Sequence, residues 1–259
     1  MHSASPSLDS LRRTAPLILT PLLFALGFVA MWGAAVEVLK TPEYIVPAPW
    51  DLPRAVPSDI ADHVWVTAQE VLLGFLVANA LAFCIAVLFV QSRIIERGVY
   101  PLAIALKTTP IVAIAPLLVL WFGTGLLSKV VAAALISFFP MLVNTIRGLR
   151  AAEPEAHELF TALRASRRQR FLRLQMPTAL PFVFAALKIS ASLAVVGAIV
   201  GEFVGAKAGL GFLILQSSYN FETAQLFVAI IGAAMLGILL FAVVSLAERA
   251  LCRWERVAV

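Results

Sequence analysis

Seven arginines fall between Arg147 and Gln175: Arg147, Arg150, Arg164, Arg167, Arg168, Arg170 and Arg173. Such a run can hold an acidic protein surface or anionic lipid, but it cannot break a bond by itself. A hydrolase in this chain would need a Ser–His pair or a His/Glu metal cluster. The histidines are His2, His63 and His157. All three are predicted at or outside membrane edges, and His63 reads as an interfacial residue. Cys84 and Cys252 show neither metal-ligand spacing nor a disulfide framework. No G-x-x-x-x-G-K-[ST] segment is present to cradle nucleotide phosphates. No catalytic residue, metal ligand or cofactor is therefore assigned, and no nucleic-acid partner. Four ionisable residues instead lie inside apolar runs: Glu70, Lys107, Lys188 and Glu202. Charge in hydrocarbon is costly, so such residues face a cavity or a partner, or snorkel to headgroups.

The elements that must position these residues are membrane helices. The chain has 259 residues, is 61% hydrophobic and 14% charged, and has a mean hydropathy of +0.93. Soluble domains average about 45–50% apolar and 25% charged residues. The excess cannot fit one aqueous core, so lipid must solvate part of it. Six spans are predicted, at about residues 17–39, 64–90, 99–121, 130–146, 180–204 and 226–247. Together they form one all-α transmembrane domain over 1–259. The first run is too long for a cleaved signal peptide and reads as a retained span. A proline-rich loop follows it, with Pro42, Pro47, Pro49, Pro53 and Pro57.

Cation placement predicts orientation. One side holds the seven loop arginines with Arg12, Arg13, Arg93, Arg97, Arg249, Arg253 and Arg256. The other holds Lys40, Arg54, Lys129 and Lys207. The positive-inside rule then puts both termini and the long loop in the cytoplasm. Small residues recur every fourth position in three spans: Gly74, Ala78, Ala82 and Ala86; Gly197, Gly201 and Gly205; Ala229, Ala233 and Gly237. Such faces let helix backbones approach closely.

Inside the loop, Pro154 suits a first helical turn, and Glu153 and Glu155 suit a helix N-terminus. Ala156, Leu159, Phe160 and Leu163 then share one helical face. A second basic helical piece is predicted at about Arg167–Leu174, with Pro177 and Pro181 punctuating entry into the fifth span. The loop could lie on anionic headgroups. Its organised apolar face favours a protein partner instead.

This loop resembles the cytoplasmic motif of the membrane permeases of bacterial ABC importers: Glu-Ala-Ala, three residues, Gly, nine residues, Ile-x-Leu-Pro. Glu158 and Pro177 match it. Leu159 and Phe160 stand at the alanines, Arg164 at the glycine, Leu174 at the isoleucine and Met176 at the leucine. PIVAIAPLLVLWFGTG at Pro110–Gly125, FFPMLVNTIRGL at Phe138–Leu149 and the segment Leu180–Phe212 resemble the nitrate, sulfonate, taurine and thiamine-precursor permeases. So does ERALCRW at Glu248–Trp254. The resemblance implies a type I importer fold in the bacterial inner membrane. It implies a second permease copy, two cytoplasmic ATPases that bind the ATP, and an extracytoplasmic binding protein. It makes Glu158, Leu159, Phe160, Leu163, Arg164, Leu174 and Pro177 the ATPase-coupling residues. Arg at the glycine position is expected to be ordinarily helical, or to make a salt bridge to the ATPase.

Glu70, Lys107, Thr108, Thr109 and Glu202 are the candidate translocation-path residues. Glu202 matches a glutamate of the resembling family, and Glu70 stands where many sulfonate-type members carry Arg. Glu70 and Glu202 are expected toward the outer mouth, where they would repel an anion. That favours a neutral or cationic ring solute, such as a pyrimidine vitamin precursor or a flavin, over sulfonate, taurine or nitrate. For Lys107 and Lys188, structural pairing or snorkelling is the expected role. A secondary transporter would need ion-linked midplane residues and often shows inverted repeats, and no convincing repeat between halves is seen.

Overall fold

The computed structural model describes residues 8–252, with side chains from residue 19 onward. The side chains of Arg12, Arg13, Arg253, Trp254 and Arg256 lie outside the described residues. All regular elements among the described residues are helical. Among the described residues, five helices are long and apolar enough to cross a membrane, or six if one sharply bent pair counts as a span.

The chain divides into two compact units. The first comprises residues 1–57 and 217–228. It contains α1 (Leu8–Leu39) and the proline-rich loop with its 3-10 turn, Leu52–Arg54. Trp50 covers α1 at Gly33, where an added Cβ would lie 2.6 Å from the indole. The Trp32 and Phe227 rings sit 5.6 Å apart, and the Thr223 hydroxyl donates to the Tyr44 carbonyl at 2.6 Å. From Leu19 to Leu39, α1 otherwise exposes nearly all its apolar side chains, a surface suited to lipid or another helix.

The second unit, residues 58–216 and 229–259, carries the core. Its helices are α2 (Ile60–Gln91), α3 (Arg93–Thr108), α4 (Ile111–Phe122), α5 (Leu126–Leu149), α6 (Pro154–Ala162), α7 (Arg167–Arg170) and α8 (Met176–Glu202). It also holds the start of α9 (Leu210–Tyr219) and most of α10 (Thr223–Leu251). The small faces of α2 and α8 both meet α5 at one residue. A Cβ on Gly74 would fall 2.5 Å from Ala133 Cβ, and one on Gly197 would fall 2.6 Å from Ala133 Cα. Ala133 is thus clamped between two glycines with no room for a further methyl group. Ser137 and Ser190 stitch the same α5–α8 contact, the Ser190 hydroxyl donating to the Ser137 carbonyl at 2.8 Å. Gly197→Leu is expected to force α5 and α8 apart and to cost about 1–3 kcal/mol, typical of overpacking. Thermal melting in detergent would read this, and an unchanged melting temperature would refute the close approach.

Along the spans the structure departs from the sequence expectation at several points. The third span is not one helix over 99–121: α3 and α4 meet at a 102° bend. Thr109 takes an extended conformation (φ −76°, ψ 124°), as a residue before proline prefers, and Pro110 has no N–H to continue the ladder. The Thr108 and Thr109 hydroxyls both donate to the Ala105 carbonyl, each at 2.9 Å, closing the last turn of α3. Gly205 does not extend the glycine face of α8, because α8 ends at Glu202 and Gly205 turns the chain with φ +71°. Lys129 is not a loop cation: α5 begins at Leu126 and leaves it 1% exposed. Finally, Pro177 and Pro181 do not interrupt entry into the fifth span. Helical structure runs from Arg167 to Glu202, with a π-helical turn at Phe171–Gln175, Pro177 in the first turn of α8 and Pro181 inside it. The short helix α9 is a further element, lying between the predicted fifth and sixth spans.

Candidate functional site

The basic loop folds as two short helices. Pro154 opens α6 at its first turn, as its fixed φ favours. Leu159 is 57% exposed and Leu163 is 69% exposed, with Glu158 beside them in solvent and Phe160 half-buried. Ser166 and Gln169 form a reciprocal capping box that starts α7. Leu174 and Pro177 lie half-buried where the loop re-enters the bundle.

Arg164 contradicts the expectation of an ordinary helical backbone. Its φ is +51°. The Ala165 N–H donates to the Phe160 carbonyl at 2.9 Å, and the Arg164 N–H donates to the Thr161 carbonyl at 3.0 Å. Those two bonds make a Schellman motif, with Arg164 at the position glycine usually occupies. The turn is therefore kept without the glycine, because its two hydrogen bonds hold the strained residue. Arg164→Gly is expected to preserve the turn and stabilise the chain by about 1 kcal/mol, while Arg164→Val destabilises it. Melting of the two variants against the parent checks this, and a loss of stability with Gly would sink it.

The translocation-path candidates separate into two groups. Lys107, Thr108 and Thr109 line a cavity of about 570 Å³ at the α3–α4 bend, together with Phe139, Asn144 and Pro110. Lys107 Nζ rests 4.3 Å from the centre of the Phe139 ring. It has no carboxylate within 4 Å among the described residues. Helices broken at a cavity offer backbone dipoles and free polar groups there, as in many transport sites. Lys188 does not line this cavity: it forms an ion pair with Glu248 at 2.8 Å, a structural pairing.

Glu70 and Glu202 lie elsewhere. They are 3% and 1% exposed and belong to a sealed polar cluster with His63, Thr67 and Lys129. Glu202 Oε1 accepts from the Thr67 hydroxyl at 2.6 Å. Its Oε2 accepts from the Gly211 N–H and, at 3.3 Å, the Phe212 N–H. Thr67 Oγ1 accepts from the Leu210 N–H at 2.7 Å, and His63 Nδ1 from the Gly209 N–H at 3.0 Å. These acceptors from α2 and α8 satisfy the first N–H groups of α9, which a helix start leaves without internal partners. Gly209 and Gly211 are needed because any Cβ there would collide with the Glu202 side chain. The Lys129 ammonium donates to the Thr124 carbonyl within electrostatic reach of both glutamates. His63, read from sequence as interfacial, is buried and holds α9. The signal that could have found this cluster is the spacing from Glu202 to Gly209 and Gly211, a turn short enough for the carboxyl to reach across.

Residues 70–257 match the family model of the binding-protein-dependent transport system inner membrane component. The chain belongs to that family. This permease is 35% identical over 243 residues to the formylaminopyrimidine transport permease protein ThiX of Halalkalibacterium halodurans, covering 92% of this chain and 96% of that one. It is 35% identical over 260 residues to the riboflavin transport system permease protein RibX of Chloroflexus aurantiacus, covering 97% and 96%. A chain of the MetNI methionine ABC transporter, solved in inward-facing conformations, matches the fold with a TM-score of 0.65 at 19% identity, covering 74% of this chain and 95% of that one. This permease is thus a multi-pass inner-membrane component of an ABC importer, with the all-α type I fold.

Proposed function

We propose that this permease imports a small neutral heterocycle of the formylaminopyrimidine or riboflavin kind, working as a pair of copies driven by two cytoplasmic ATPases. The ATPases bind the ATP, an extracytoplasmic binding protein delivers the solute, and both permease termini face the cytoplasm. The observation that carries the coupling is the exposed Leu159–Leu163 face of α6, held at a fixed angle by the Schellman turn at Arg164. An apolar helix face on a basic loop fits a partner groove with an apolar floor and an acidic rim. The distribution of cations, fourteen against three once the buried Lys129 is set aside, supports the orientation.

Glu70 and Glu202 are engaged in the buried cluster at α9, so they give the path no negative mouth. The charge on the cavity wall is the Lys107 ammonium, which disfavours a cationic solute and suits ring carbonyl or nitrogen acceptors. Phe139 and the apolar wall suit a flat ring. The same ammonium supports a second reading, in which a sulfonate or other anion is carried. The test is uptake by cells expressing the whole importer. Labelled formylaminopyrimidine or riboflavin should accumulate, and Lys107→Met should reduce that uptake roughly tenfold, the loss of one charge-assisted hydrogen bond. High-affinity taurine or nitrate uptake with neither heterocycle transported would overturn the heterocycle reading. Uptake persisting without any ATPase would overturn the ATP-driven one.

A further inference from the structure

A second cavity, of about 630 Å³, lies where the arginine-bearing start of α3 meets the ends of α2 and α5, apart from the α3–α4 bend. Its wall includes Arg93, Arg97 and Arg150, with Glu96, Tyr100 and Val90. Arg150 grips Glu96 through two hydrogen bonds, at 2.9 and 2.7 Å. That pair neutralises the carboxylate in the wall. It leaves Arg93 and Arg97, one helical turn apart on α3, with no carboxylate within 4 Å among the described residues. The apolar spans α2 and α5 end beside them at Gln91 and Leu149, so the cavity sits where a bilayer meets water. Val90, Tyr100 and Pro101 give the same wall an apolar surface for the first part of an acyl chain.

We infer that this cavity is a binding site for one anionic phospholipid, its phosphodiester held by Arg93 and Arg97. All its cations are arginine, whose planar fork matches phosphate oxygens two at a time; snorkelling alone would be served equally well by lysine. The Glu96–Arg150 pair fixes the third guanidinium and the outline of the cavity. Basic pockets between transmembrane helices suit anionic headgroups, which the membrane surface supplies at high local concentration. The concave wall, the two guanidiniums without an ion pair and the apolar side chains of Val90, Tyr100 and Pro101 beside them distinguish this place from the rest of the basic surface. The site is independent of which solute is imported.

The experiment titrates phosphatidylglycerol into the permease assembled with its ATPase in phosphatidylcholine nanodiscs and follows melting. Native mass spectrometry counts the lipids retained. Saturable stabilisation by about one phosphatidylglycerol per chain is expected. Arg93→Gln/Arg97→Gln should weaken it roughly tenfold or more, as loss of charge-assisted bonds to phosphate requires. Arg93→Lys/Arg97→Lys should fall between, because the charge stays but the fork is lost. Arg147→Gln/Arg249→Gln removes equal charge from exposed positions outside the cavity and should leave binding unchanged. Inorganic phosphate at matched concentration should not reproduce the stabilisation. The inference is overturned if the native titration is not saturable, if the Arg147/Arg249 variant loses the lipid equally, or if free phosphate serves as well. The native titration needs no variant, so a misfolded Arg93/Arg97 protein would not shield the idea.

Discussion

Replacing Leu159 and Leu163 together with aspartate should abolish uptake and release the ATPase, while the chain still folds in the membrane. Leu159 on α6 and Leu163 just after it both stand in solvent, so folding does not depend on them. Burying a leucine side chain in a partner's groove contributes about 1.5–3 kcal/mol. Losing two of them, and placing two carboxylates against an acidic rim, should weaken association by roughly 10²–10⁴-fold. Phe160 is a poorer probe, since it is half-buried and its carbonyl closes the Schellman turn. Glu158→Lys should weaken association less, because an exposed rim charge mainly tunes approach. Co-purification of the ATPase with tagged permease, followed by uptake in the same cells, gives the answer. If the double aspartate variant retains its ATPase, the coupling role of this face is wrong.

The largest stability effect should come from Glu202. Glu202→Ala removes the acceptor for two backbone N–H groups and the Thr67 hydroxyl at once. Each buried polar group left without a partner costs about 1–3 kcal/mol, and burial denies bulk solvent access to the cluster. A total of about 3–5 kcal/mol is expected, comparable to breaking a buried charged network. Glu202→Gln keeps the shape and one carbonyl acceptor but turns an NH₂ against N–H donors, so it should recover only part. Melting should fall, and hydrogen exchange at Gly209–Phe212 should accelerate far more than exchange within α5. Uniform acceleration along the chain would mean that Glu202 does not specifically hold α9.

Lys129, Glu70 and Glu202 show why charge read along a chain misplaces residues in a bundle. Hydropathy and charge are properties of single positions. They sufficed for the order of the apolar segments, the α6 face and the close packing at Gly74 and Gly197. Reach across the fold is a different kind of quantity. Glu70 and Glu202 look like acidic residues near span ends. Glu202 turns inward because the start of α9 presents N–H groups that acceptors from α2 and α8 meet, and Glu70 is buried in the same cluster. Lys129 looks like a loop cation until α5 is seen to begin at Leu126.

Arg164 divides the two sources of information most clearly. The residue types from Glu158 to Pro177 determined by themselves that the loop holds an apolar helix face on a charged segment, the pattern of a docking element. They also marked Arg164 as the departure from glycine. Its left-handed backbone was decided only by the folded turn, where the bonds to the Phe160 and Thr161 carbonyls outweigh the steric preference of an arginine. The same holds for Lys107. The sequence determined that Lys107 sits in an apolar run, and the 102° bend at Pro110 decided that it faces a cavity. A bend is set by which backbone groups find partners, and those partners are brought together only when the chain folds.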